Sequence, residues 1–182
     1  MLNRKLYWWF RKLADYEPFI SCIALSDRPI EEAYDIELVL RFVLLSRIKL
    51  ESLKKVGDVG IFLTERMREI ATDPAFDSDS YESIFKQTFE TLERTVSSDA
   101  FKRYDLKKNR HAGGFLLSQF EVIALGLGFN IALGEKIDEK HLAKKIASIW
   151  SDTNYTNWAG SGITATRRLP QLVPLGRKLF TK

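Results

Sequence analysis

Apolar residues recur at three- and four-residue spacing along most of the chain, a period that predicts helices and not strands. In the first segment Leu2, Leu6, Trp9, Phe10 and Leu13 form one stripe, with Arg4, Lys5, Arg11 and Lys12 largely outside it. That is the pattern of an amphipathic helix. A second short helix is expected to start near Pro18, since proline is tolerated in a first turn, and to end before Ser26-Asp27-Arg28-Pro29. From Tyr34 to Ile48 apolar side chains surround the helical circumference, which marks the expected central helix. Arg41 is embedded there, and a buried guanidinium needs a carboxylate or several carbonyls as partners, because an unpaired charge in a core is costly.

Gly57 and Asp58 open a helix with Val59, Phe62, Leu63, Met67 and Ile70 on one side, ending around Thr72-Asp73-Pro74. Asp77, Ser78, Asp79 and Ser80 offer N-caps for the clearest helix, whose stripe is Tyr81, Ile84, Phe85, Thr88, Phe89, Leu92 and Val96. Residues 101–114 break the period and read as a basic loop ending in a glycine pair. A buried helix begins near Phe115, and the polar Gln119, Glu121 and Asn130 within it argue against a membrane span. Inside it, Gly126-Leu127-Gly128 follows no strand and lacks a third glycine, so it serves close helix packing rather than phosphate binding. Gly134 and Asp138 mark a turn and cap before a helix defined by Leu142, Ile146, Ile149 and Trp150. Beyond it, a short helix from Ile163 to Leu169 and then an irregular tail are expected, because Pro170 and Pro174 follow. The expected fold is an all-α irregular bundle of about seven or eight helices with a loop-rich basic tail, residues 1–182 forming one domain and 150–182 packing loosely.

At 182 residues, 45% hydrophobic and 29% charged, the chain is long enough to bury a core without metal or disulfide staples. Cys22 is the only cysteine and lies in the apolar run PFISCIAL, which excludes an internal disulfide and favours a buried position. The basic residues hem in Trp8, Trp9 and Phe10 too closely for a secretion signal, so a cytoplasmic location is expected, with no membrane partner. Charge is divided unevenly. Residues 1–100 hold 14 Lys+Arg against 18 Asp+Glu, a net of −4, and residues 101–182 hold 14 against 6, a net of +8. The second half therefore offers a surface to a polyanion such as DNA or to an acidic protein.

The sequence carries no recognisable catalytic motif. His111 and His141 stand in different segments without metal-ligand spacing, no nucleophile elbow or phosphate loop occurs, and Glu31-Glu32 reads as a solvated pair. No catalytic residue, metal or cofactor is therefore expected. What remains is a binding pattern: Arg103, Lys107, Lys108, Arg110 and His111 in one segment and Arg167 and Arg168 further on are candidate phosphate contacts. Tyr104, Tyr155 and Trp158 lie near them in sequence as candidate stacking partners for unpaired bases.

Taken in order, YDIELVLRF (34–42), FKRYD (101–105), the stretch from Arg110 to Phe115, FLLSQFE (115–121) and the ending SGITATRRLPQLVPLGRKLF resemble the C-terminal helical half of the GmrSD-type restriction proteins. In that family the N-terminal half is ParB/sulfiredoxin-like, and whole members are implicated in nucleotide-dependent cleavage of modified or foreign DNA. The family's nucleotide-associated Asp-Gly-Gln-Gln-Arg loop is absent here, since the chain contains neither an Asp-Gly nor a Gln-Gln pair. The resemblance thus implies a non-catalytic scaffold in anti-phage defence that touches DNA or docks on a separately encoded catalytic half, with self-association as a further option. It places Met1 where the family's N-terminal half gives way to helices, so a former interface is expected as exposed apolar surface at Tyr7, Trp8 and Trp9.

Overall fold

The computed structural model describes residues 4–28 and 32–181, and Met1, Leu2, Pro29 and Glu31 of the readings above lie outside them. The class is all-α: ten α-helices and one two-stranded hairpin are found among the described residues. Two of the helices, α4 (Leu50–Leu53) and α9 (Thr153–Thr156), are single turns too short to show a period, which is why fewer were expected.

Helix α1 (Arg4–Ala14) buries Leu6, Phe10 and Leu13, and α2 (Glu17–Ile23) carries Pro18 in its first turn. Helix α3 (Tyr34–Leu45) is buried on most sides, as its composition requires. The caps on the two long helices that follow α4 are residues whose carboxylates suit the position. Asp58 accepts from the Ile61 amide at 2.8 Å to start α5 (Val59–Thr72), and Asp77 accepts from the Ser80 amide at 3.0 Å to start α6 (Ser78–Thr95). Helix α7 (Leu117–Ala132) is the most enclosed element, with Phe120, Val122, Ile123, Ala124, Leu125 and Leu127 wholly buried.

A chain of phenylalanines joins these helices. Phe42 of α3 meets Phe85 of α6 edge-on at 5.3 Å, Phe85 lies 4.6 Å from Phe89, and Phe19 of α2 meets Phe89 at 4.9 Å. Cys22 sits in this layer with its thiol donating to the Phe89 carbonyl, and burial pushes its pKa up to about 12, so it acts as a small hydrophobe and not a nucleophile.

Helix α8 (Glu139–Ser148) runs into a 3-10 turn at Ile149–Ser151 and then α9. The last segment departs from the sequence expectation. Residues Ala165–Leu179 form one continuous helix, α10, with both Pro170 and Pro174 inside it and Leu169, Leu172, Val173 and Gly176 buried. Each proline removes an intrahelical hydrogen bond, and the loss is offset by packing on α7 at glycine-to-glycine distance. A Cβ on Gly126 would stand 2.5 Å from the Gly176 carbonyl carbon, and one on Gly176 would stand 2.0 Å from the Val122 oxygen. Gly128 likewise admits the Phe42 ring, so the Gly126-Leu127-Gly128 run does serve close packing. Asn130 of α7 fastens the far end, donating to the carbonyls of Gly126 at 2.8 Å and Arg177 at 2.9 Å. Arg177 lies over the Phe129 ring at 3.9 Å and donates to the Ser46 and Ile48 carbonyls just beyond α3, a helix C-terminus that suits a cation. The tail is therefore a core element and not a loose appendage.

Candidate nucleic-acid interface

The basic segment that reads as a loop forms an antiparallel hairpin, β1 (Arg103–Asp105) paired with β2 (Arg110–Ala112), with Asp105 opposite Arg110 and Tyr104 opposite His111. Its turn is set by side chains. The Asp105 carboxylate accepts from the amides of Lys107 at 2.9 Å and Lys108 at 3.1 Å, Asn109 takes the left-handed conformation (φ 51°), and the Tyr104 hydroxyl donates to the Asn109 side-chain oxygen. Buried Phe101 accepts from the Leu116 amide at 2.9 Å and closes the base of the hairpin against the core. The lysines hide this turn chemistry from a composition reading, which sees only charge.

Side-chain alternation puts Arg103, Asp105, Arg110 and Ala112 on one hairpin face and Tyr104 with His111 on the other. The Tyr104 and His111 rings meet edge-on at 4.9 Å. Arg103 leans over the Trp150 ring at 5.6 Å, and Trp150 in turn packs edge-on against buried Tyr155 at 5.2 Å. Arg167, in the first turn of α10, lies over Trp158 at 5.9 Å. The stretch 149–158 thus joins the hairpin to the start of α10, and it brings Arg103 and Arg167 to one end of the bundle. Cation–π seating limits the freedom of each guanidinium while leaving its edge open. Among the described residues no carboxylate lies within ion-pair distance of Arg103, Lys107, Lys108, Arg110 or Arg167. The role of Trp150 had no signal in the spacing, since it is read there as a packing residue.

Arg168 does not belong with them. Its Nε and Nη2 donate to the wholly buried Glu121 at 2.5 and 2.9 Å, its Nη1 donates to the Ile163 carbonyl at 3.0 Å, and only 13% of its side chain is exposed. Arg41 approaches the same carboxylate at 3.7 Å while pairing with Glu37 at 2.7 Å. Glu121 is thus shared by two arginines from α3 and α10, the partner that the sequence required for Arg41. The charge-assisted bond to Glu121 raises the Arg168 pKa above its ordinary value, and burial raises that of the adjacent Tyr34 hydroxyl. His111 stays at the edge of the site, with its Nδ1 buried and without a hydrogen-bond partner.

The aromatic triplet of α1 divides in the same way. Tyr7 is 46% and Trp8 58% exposed, their rings meeting edge-on at 5.5 Å. Trp9 instead packs against Phe76 at 5.7 Å and donates to Glu82 at 3.3 Å, so it is removed from the expected partner surface. Lys12 and Lys86 also donate to Glu82, and together they hold its carboxyl down to about 2.

An open groove of about 500 Å³ is lined by residues such as Gln87, Arg94, Glu135 and Glu139, and it shares none with the hairpin face. Among the described residues no helix is long and apolar enough to cross a membrane, and no group of three or more His, Cys, Asp or Glu is placed to hold a metal. Comparison of the chain with protein-family models, with curated proteins and with solved structures produces no match.

Proposed function

We propose that the chain is a non-catalytic helical module that binds nucleic acid through its basic C-terminal half, as part of a prokaryotic DNA-defence protein of the GmrSD-type restriction class. The observation that carries the binding role is the set of five cations, Arg103, Lys107, Lys108, Arg110 and Arg167, left without carboxylate partners at one end of the bundle. Two of the five, Arg103 and Arg167, are seated on tryptophan rings, and a cluster of one sign with no carboxylate to neutralise it favours an anionic ligand. The assignment to DNA defence rests on the ordered resemblance of the sequence segments alone. Neither Arg168 nor Trp9 is part of the proposed surfaces.

Neutralising phosphates releases counterions, so affinity should fall with salt, with a slope in log–log form no steeper than about −4 to −5 for these five cations. The double substitution Lys107→Ala, Lys108→Ala should flatten that slope by about 2 without changing thermal stability. Fluorescence anisotropy of labelled oligonucleotides over a salt series measures both. Absence of binding at low salt overturns the nucleic-acid role.

A second reading, a purely structural assembly module, is favoured by one observation, the exposed Tyr7–Trp8 pair on α1. On this reading the pair docks on a catalytic partner or on a second copy, since large aromatics held at a surface are typical interface anchors. Sedimentation equilibrium should then show association that Trp8→Glu abolishes. A concentration-independent monomer, together with unchanged capture of a neighbouring gene's product by the variant, removes the role of that pair.

A further inference from the structure

The tip of the β1–β2 hairpin carries a leucine among cations. Leu106 is 54% exposed and is followed directly by Lys107 and Lys108, and residues 106–110 and 112–114 are all exposed, so the hairpin stands off the bundle. A lone surface leucine needs no explanation by itself. This one sits at a turn held by the Asp105 carboxylate, the Tyr104 hydroxyl and the left-handed Asn109, none of which buries it. Among the exposed aliphatic side chains Ile20, Ile61, Leu106 and Leu133, Leu106 is the one followed directly by two lysines, so a ligand with both an apolar and an anionic surface would cover it.

We propose that Leu106 is a wedge that enters between adjacent base pairs of duplex DNA and kinks it, an inference that rests on the nucleic-acid reading above. The base stack is the apolar surface available inside a polyanion, and Lys107 and Lys108, exposed and next to Leu106 in the chain, would meet the phosphates flanking the opened step. Each three-residue arm spans about 10 Å, enough for the tip to reach the floor of a minor groove about 7.5 Å deep. An undistorted minor groove about 6 Å wide is too narrow for two strands about 4.8 Å apart with their side chains. Entry therefore requires the widened groove that a kink toward the major groove creates. Duplex is favoured over single strands because Arg103 and Arg167 already lie over Trp150 and Trp158, and an aliphatic tip offers no ring on which a lone base can stack.

The test uses the full chain and a short duplex labelled at both ends for energy transfer, with 2-aminopurine placed at successive steps. Wild type is expected to draw the ends together and to raise 2-aminopurine fluorescence several-fold at one step. Leu106→Ala should lose both signals while keeping the wild-type salt slope and a Kd within about tenfold, because the lost burial of leucine is offset by a stack that no longer opens. Leu106→Phe should retain the kink. Circular dichroism checks that these tip variants stay folded. Salt-dependent duplex binding by wild type with neither signal overturns the wedge and leaves the nucleic-acid reading standing, as does a Leu106→Ala variant that bends DNA like wild type. No binding to any nucleic acid at low salt overturns the reading of the face itself, and the wedge with it.

Discussion

Replacing Glu121 with alanine is expected to lower the stability of the fold by about 3–5 kcal/mol, the usual cost of leaving a buried charge without its partner. Two guanidinium groups share this carboxylate, and they are not equally exposed to its loss. Arg41 keeps Glu37 at 2.7 Å, whereas Arg168 keeps only the neutral Ile163 carbonyl. Most of the effect therefore falls on Arg168, and through it on the first turn of α10 and on Arg167 beside Trp158. Glu121→Gln keeps the shape and one acceptor oxygen, so its loss should be smaller. Adding Arg168→Met to Glu121→Ala should restore much of the stability, since the double variant buries no unpaired charge at that site. Urea unfolding at neutral pH measures all three, and for a chain of this size the single alanine should also lower Tm by about 10 °C. A loss under about 1 kcal/mol would mean that the arginine finds another counterion, and the shared carboxylate would then not be what holds α3 and α10 together.

The all-α class and the approximate borders of α5 and α6 were legible in the sequence, with Asp58 at the start of one and Asp77 among four cap choices for the other, because each depends on residues within one or two turns of one another. Arg41's need for a carboxylate was legible as a demand, but Glu121 was visible only as a polar residue in an apolar run, and nothing local joins them. The two adjacent arginines show why the candidate site was read only in part. Successive residues on a helix point about 100° apart, so Arg167 faces outward while Arg168 turns toward Glu121, and composition treats the two alike. Trp8 and Trp9 on α1 divide for the same reason. The hairpin was missed because its strands are three residues long and its turn formers, Asp105 and Asn109, flank lysines that suggest a solvated loop. Helix α10 is longer than its sequence suggests because proline, a sound local stop signal, is overridden by Gly176 further along the same helix, which lets it lie directly on α7.

Gly176→Ala isolates that overriding contact, because here two well-defined effects have opposite signs. In an exposed helix, alanine in place of glycine stabilises by about 1 kcal/mol. At this position the new Cβ would stand 2.0 Å from the Val122 carbonyl oxygen and 2.9 Å from its carbon, atoms of a backbone that cannot rotate away. Relief requires α10 to lift from α7, which opens the seats of Leu169, Leu172 and Val173 and pulls Asn130 from the Arg177 carbonyl. Overpacking of this kind costs about 1–3 kcal/mol and at times more, and the rigidity of the obstacle puts the expected net loss near about 3 kcal/mol. Gly126→Ala meets the same crossing from the other side, with 2.5 Å to the Gly176 carbonyl carbon and oxygen. The two losses should then add to less than their sum, since helices already parted for one methyl group admit the second at lower cost. Urea midpoints of both single variants and the double variant decide the matter. A rise in stability in either single variant would show that the helices do not touch at these glycines, and the two prolines of α10 would lose the packing that offsets them.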